Sequence, residues 1–250
     1  MRQDGMQTRH VPAIDLRYWF GITFASIFGT NLGDFYAHES GLSLGLGLML
    51  LVILFAATYW IEAKDGTAHE IYYWLAIIII RTGATNIADY LAFRVHIPAL
   101  PLAAGLAAMI AVLAWGGSTP RPRAELAATG TALAKTNPSY WGAMLGAGVF
   151  GTVVGDICSH HFGKGPASIG LGLMLVILLA TAKSHVAIRV AVYWSAVALA
   201  RTAGTCIGDW FAENRILHIG LPLSTLLTGT AFVAILTVWR SAHRDARAAA

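Results

Sequence analysis

The sequence predicts an all-α integral membrane protein of eight transmembrane helices, arranged as four parallel two-helix repeats. Three observations carry that expectation. The 250 residues are 56% hydrophobic and only 12% charged, whereas a soluble domain usually carries about 25% charged residues. Apolar stretches near the ~20 residues that a bilayer core requires recur along the chain. A tryptophan-to-aspartate interval recurs four times in one register. Trp19, Trp74, Trp141 and Trp194 each follow a tyrosine, and Asp34, Asp89, Asp156 and Asp209 lie at the same offset from them.

Taken in order, the chain opens on a polar N-tail, 1–16. The predicted spans are 18–37, 42–61, 71–93 and 97–115 in a first half (17–115), then 140–159, 167–182, 188–211 and 219–239 in a second (140–239). The first span holds Asp34 and lacks a small-residue cleavage site, so it reads as a retained span and not a signal peptide. The sixth is the shortest. Between the halves, "GGSTPRPRAELAATGTALAKTNPS" (116–139) is rich in Gly, Pro and Ser and reads as a linker. A basic tail, 240–250, closes the chain.

The halves also answer each other. "GLGLML" stands at 45–50 and 170–175, "RTGAT" (81–85) matches "RTAGT" (201–205), and "HIPALPL" (96–102) matches "HIGLPL" (218–223). A unit of two spans ends on the side where it began, so all four Trp-to-Asp helices run in one direction. Such repeats are related by an axis along the membrane normal. The simplest arrangement places the first, third, fifth and seventh helices as a quasi-fourfold inner ring. Of the lysines and arginines, twelve fall in the N-tail, the even loops and the C-tail, and three (Arg94, Lys164, Arg215) in the odd loops. The positive-inside rule then predicts cytoplasmic termini, as for a multi-pass protein of a bacterial inner membrane. This topology accounts for the net charge of +4, so nucleic acid is not an expected partner. The bilayer and a small ion or solute are, and nothing in the sequence requires a dimer.

The Y-W pairs at 18–19, 73–74, 140–141 and 193–194, with the Gly/Ala-Asp steps at 33–34, 88–89, 155–156 and 208–209, carry a resemblance. The chain resembles a family of bacterial membrane-anchored proteins built of four tandem two-helix repeats with a characteristic tryptophan, known as a repeat of unknown function. The resemblance covers about 16–240. It implies the eight-helix architecture and no activity.

Function must come from the helix faces. Gly29/Gly33, Ala84/Ala88, Gly151/Gly155 and Gly204/Gly208 form a small-xxx-small pair in each repeat, which in lipid lets backbones approach closely. Beside this face runs a stripe one turn apart at each step. It reads Ser26-Thr30-Asp34-His38, Arg81-Thr85-Asp89-Phe93, Gly148-Thr152-Asp156-His160 and Arg201-Thr205-Asp209-Glu213. Polar side chains in a membrane face the bundle interior or a wet cavity. Each threonine could instead only bond the carbonyl four residues back. The tryptophans read as interfacial anchors, His38, His160 and His161 as solvated side chains near the surface, and Arg81 and Arg201 as partners of acids. The aspartates resist a bland reading. Carboxylates about 6 Å apart repel by roughly 3 kcal/mol per ionised pair at an effective dielectric near 20. They must share protons, recruit the arginines or bind a cation.

The leading expectation is therefore a transporter of a small cation, a divalent metal coupled to protons, and not an enzyme. The ion would be held by Asp34, Asp89, Asp156 and Asp209 with Thr30, Thr85, Thr152 and Thr205, joined by His38 and His160 as metal ligands. Arg81 and Arg201 would act as a gate. Oxygen and imidazole donors suit Mn, Fe, Co, Ni or Zn, and no resident cofactor is expected beyond such an ion as substrate. Two alternatives remain. One is an anion or organic-acid carrier binding through Arg81 and Arg201. The other is a haem or redox module using His38 and His160, although no C-x-x-C-H or H-E-x-x-H motif occurs. The anion reading differs from the cation reading in which groups face the cavity, acids or guanidiniums.

Overall fold

The structure, a computed structural model, describes residues 10–12, 14–65, 69–116, 134–181 and 186–248. Among them are eight α-helices: α1 (Leu16–Glu39), α2 (Leu44–Asp65), α3 (Glu70–Asp89), α4 (Ala99–Gly116), α5 (Pro138–Phe162), α6 (Lys164–Thr181), α7 (Val186–Glu213) and α8 (Gly220–Ala248). Two short strands, β1 (His10–Val11) and β2 (Ala134–Lys135), pair antiparallel. Each predicted span falls on one helix, the short sixth included. The last helix runs on through most of the stretch read as a separate basic tail. Most of the predicted linker lies outside the described residues. Its end, 134–139, supplies β2 and the start of α5.

Local chemistry explains the helix starts. Asp15 caps α1 by accepting the Tyr18 amide at 3.0 Å. Asn137 does the same for the Tyr140 amide at 2.9 Å, with Pro138 next in the first turn of α5. Both caps satisfy an orphan helix-start donor, and proline fits the first turn, where no amide is needed. Two of the matched motifs share a backbone oddity. His96 and His218 both adopt positive φ, 60° and 47°, in the left-handed region uncommon for non-glycine residues. Each stands just before an even-numbered helix, so the halves agree in backbone as well as in letters. The last turn of α3 widens into a π-helical turn at Tyr90–Arg94.

Packing sorts the helices into a more buried and a more exposed set. Helix α1 packs on α3, α7 and α8, and α5 packs on α3, α4 and α7. Helices α2, α4, α6 and α8 each lean chiefly on the first helix of the following unit: α2 on α3, α4 on α5, α6 on α7 and α8 on α1. In α3, α5 and α7, 56–67% of the apolar window is buried, against 11–17% in α2, α6 and α8. The exposed side chains of the outer helices are apolar, for example Met49, Val52 and Ile53 on α2 and Val176 and Ile177 on α6. A surface of that kind suits lipid. By length and composition, α2, α3, α5, α6, α7 and α8 can each cross a membrane, and α4 carries a shorter apolar run, Ala99–Trp115. The chain is accordingly a multi-pass membrane protein.

The small residues are where inner helices touch. A Cβ added to Gly29 would stand 2.5 Å from Arg81 Cγ, one at Gly151 2.5 Å from Arg201 Cβ, and one at Gly204 2.5 Å from Ser26 Cβ. The tryptophans depart from expectation. Trp74, Trp141 and Trp194 are buried and pack with the tyrosines at one end of the bundle, as in the 5.6 Å Tyr140–Trp194 ring contact. They are core residues of the helix bundle and not lipid-facing anchors.

Candidate functional site: a layered axis beneath an acidic cavity

Helices α1, α3, α5 and α7 bring like residues of the repeats together, in layers. At the Trp end, the hydroxyls of Tyr18, Tyr73, Tyr140 and Tyr193 close a cycle of hydrogen bonds. The distances are 3.0 Å (18–73), 2.8 Å (73–140), 3.0 Å (140–193) and 2.6 Å (193–18). A phenol donates once and accepts, so four of them satisfy one another without water. All four are buried. The sequence reading missed this layer, although the tyrosine of each repeated Y-W pair was its signal.

Next come the arginines, both fully buried. Arg81 directs its guanidinium toward the Asp end. It donates five hydrogen bonds to hydroxyls: to Thr85 (2.8 Å) and Thr152 (3.0 Å) from Nη1, to Thr30 (2.6 Å) and Thr205 (2.6 Å) from Nη2, and to Ser26 (3.2 Å) from Nε. One side chain thus gathers the threonine of every repeat. Each threonine also donates back to the carbonyl four residues earlier, from 2.9 Å at Thr30 to 3.5 Å at Thr152. The bland and the functional readings of these threonines are both true, because the hydroxyl proton serves the helix and the lone pairs serve Arg81.

Arg201 occupies the matching repeat position but turns the other way. Its Nη2 lies 3.9 Å from Met144 Sδ, three residues beyond Trp141, and its Nε and Nη1 have no partner among the described residues. Neither arginine forms an ion pair with an aspartate, and the two do not share one environment.

The third layer holds the aspartates. Asp34, Asp89, Asp156 and Asp209 all line one open cavity of about 870 Å³, with Thr30, Thr85, Thr152 and Thr205 in its wall. None of the four carboxylates takes a hydrogen bond or ion pair among the described residues. His38 and His160 lie in the same wall, and both are exposed. Lys164 and Glu213 pair across adjoining helices at the rim. Arg81 and Arg201 are not part of the lining. His161 is held instead by the Ile157 carbonyl, at 2.8 Å. Asn86, which sequence reasoning passed over, adds its amide to the wall while donating to the Gly33 and Thr82 carbonyls. Among the described residues no three His, Cys, Asp or Glu side chains come together as a set able to hold a metal ion.

Residues 17–64 and 192–245 match the family model of a Repeat of Unknown Function (DUF347). These two segments are similar to that repeat and together cover less than half of the chain. The matched segments contain α1 with α2 and most of α7 with α8, the first and last of the units read from the Trp-to-Asp register. No curated protein and no solved structure matches the chain. The DUF347 repeat therefore supports the internal repetition and leaves the chemistry to the residues themselves.

Proposed function

We propose that this DUF347-repeat protein carries a cation across the membrane, taking it up in the cavity of four aspartates. The observation behind the reading is the lining itself. Four carboxylates without protein partners face one open cavity, while both guanidiniums are withdrawn from it. An anion carrier would need the opposite arrangement. Unpaired acids at one level repel one another, and a cation or shared protons relieve that repulsion.

In this reading α1, α3, α5 and α7 form a quasi-fourfold inner bundle of parallel repeats in a bacterial plasma membrane, with both termini cytoplasmic. The cavity then opens to the outside. Arg81, bonded to all four threonines, closes its floor, and the tyrosine cycle closes the cytoplasmic end. A cation moves inward only when the Arg81 plug loosens, and protons exchanged at the carboxylates drive that step. The size of the cavity favours a hydrated or organic cation over a metal stripped of water and held by His38 and His160.

Asp→Asn at each of the four positions tests the proposal, since it keeps shape and removes charge. Flux into proteoliposomes and calorimetric binding, run over divalent metals and small organic amines, should each fall in every variant. Unchanged binding and flux in all four would overturn the carboxylate site.

A further inference from the structure

A second cavity lies on the outside of the bundle, in the groove between α1, α3 and α8. It also measures about 870 Å³, and its walls are almost wholly apolar, including Phe28, Leu32, Phe35, Leu226 and Val233. The contribution of α1 runs from Arg17 to Phe35, a rise of about 27 Å along the helix. That of α3 stops at Ile78, about 12 Å from Glu70, so the deepest part of the groove spans about one leaflet.

The groove is charged at one end only. Arg17 and Glu70, which start α1 and α3, both line it and pair with each other at 2.8 Å. Arg17 is 8% exposed, and its Nε has no hydrogen-bond partner among the described residues. Trp74, one turn further along α3, also lines the groove. It is 3% exposed, and its indole Nε1 has no partner either. Two buried donors thus stand unsatisfied beside one opposite-charge pair, at the depth where α1 and α3 enter the apolar layer.

We infer that this groove holds a bound phospholipid with a zwitterionic aminophosphate headgroup, its acyl chain lying along α1 and α8. The Arg17–Glu70 pair is complementary to such a headgroup, which offers a phosphate to the guanidinium and an ammonium to the carboxylate. A purely anionic headgroup would meet Glu70, and a choline headgroup has no N–H to donate to it. The glycerol backbone then lies just below the phosphate, along the wall that Trp74 and its neighbours form. The chain then covers the Phe28, Leu32 and Val233 surface.

Native mass spectrometry of the detergent-purified protein, with lipid analysis of what it retains, tests this. The wild type should keep about one phospholipid per chain, enriched in phosphatidylethanolamine over the membrane from which it was extracted. Ala234→Trp places an indole against the exposed wall of the groove near its Trp74 end, and should abolish retention while leaving the helix content unchanged. The double variant Arg17→Gln/Glu70→Gln should retain lipid of bulk composition, its headgroup preference lost. Retention unchanged by Ala234→Trp, or wild-type retention that mirrors the bulk membrane, would overturn the inference as binding of an adventitious additive only.

Discussion

Replacing Arg81 gives the sharpest test of the layered axis. The side chain is fully buried and makes five hydrogen bonds to five hydroxyls. Bonds to a charged group contribute about 1.5–3 kcal/mol each, and a simple sum would rival the whole stability of a protein. Desolvating the guanidinium opposes that sum, and replacing a buried ionic group by an apolar side chain of similar volume is often neutral or stabilising by about 1–4 kcal/mol. The threonines decide which limit applies. Each keeps its bond to the carbonyl four residues back, so loss of Arg81 leaves no hydroxyl proton orphaned. Arg81→Met should therefore change stability by less than about 2 kcal/mol. Arg81→Lys retains the buried charge with three donors facing five acceptors, and should be worse, at about 3–5 kcal/mol. Arg81→Ala opens a void on the axis and should cost about 2–5 kcal/mol. Arg201→Met should be neutral or stabilising, because two of that guanidinium's nitrogens are unpartnered. Unfolding in mixed detergent micelles, followed by tryptophan fluorescence, ranks the four variants. A folded Arg81→Lys beside an unfolded Arg81→Met would refute the reasoning. It would mean that the charge itself, balancing the aspartates, holds the bundle together.

Two further predictions concern the helix contacts. Tyr18→Phe removes two members of the hydroxyl cycle's bonds and should destabilise by about 1–2 kcal/mol. Replacing all four tyrosines by Phe leaves no buried hydroxyl unpaired, and should cost less than the sum of the four single changes. Strictly additive losses in the same unfolding assay would mean that the cycle is not a unit. Gly151→Ala drives a Cβ to 2.8 Å from the Arg201 carbonyl carbon and should lower the melting temperature. Gly170→Ala, in α6 with nothing within 4 Å, should raise stability by about 1 kcal/mol through helix propensity. Equal effects of the two on thermal melts would remove close packing as the reason for the small residues.

The helices were legible because lipid imposes length and composition, and the Trp-to-Asp register was legible because four copies repeat it without a gap. The same register picked out the four threonines that meet at Arg81 and the four aspartates that line one cavity. What it did not reveal was direction. A helical wheel places Arg81 one turn from Thr85 but does not say which of four threonines it reaches, and Thr152 and Thr205 come from other helices. The tryptophans misled for a related reason. An aromatic at the end of a span usually marks the interface, but in α3, α5 and α7 that end is itself enclosed by neighbouring helices and by the tyrosine layer. Burial of this kind depends on which face meets a partner, and the repeat does not state it.

The unlike fates of Arg81 and Arg201 follow from the repeat symmetry itself. Four helices at one level offer four threonine hydroxyls around one axis, and that makes a single guanidinium site. The sequence supplies two arginines at the same repeat position, while the other two helices carry Ser26 and Gly148 there. Both cations cannot occupy the site, because like charges a few ångströms apart repel strongly in a buried setting. Arg81 takes the hydroxyls, and Arg201 is left to turn toward Met144 and the tyrosine end. A twofold pattern of arginines within a fourfold pattern of threonines thus forces an asymmetric axis from nearly symmetric halves. The carboxylates one turn beyond escape this conflict. They share one open cavity, so all four can face the same space.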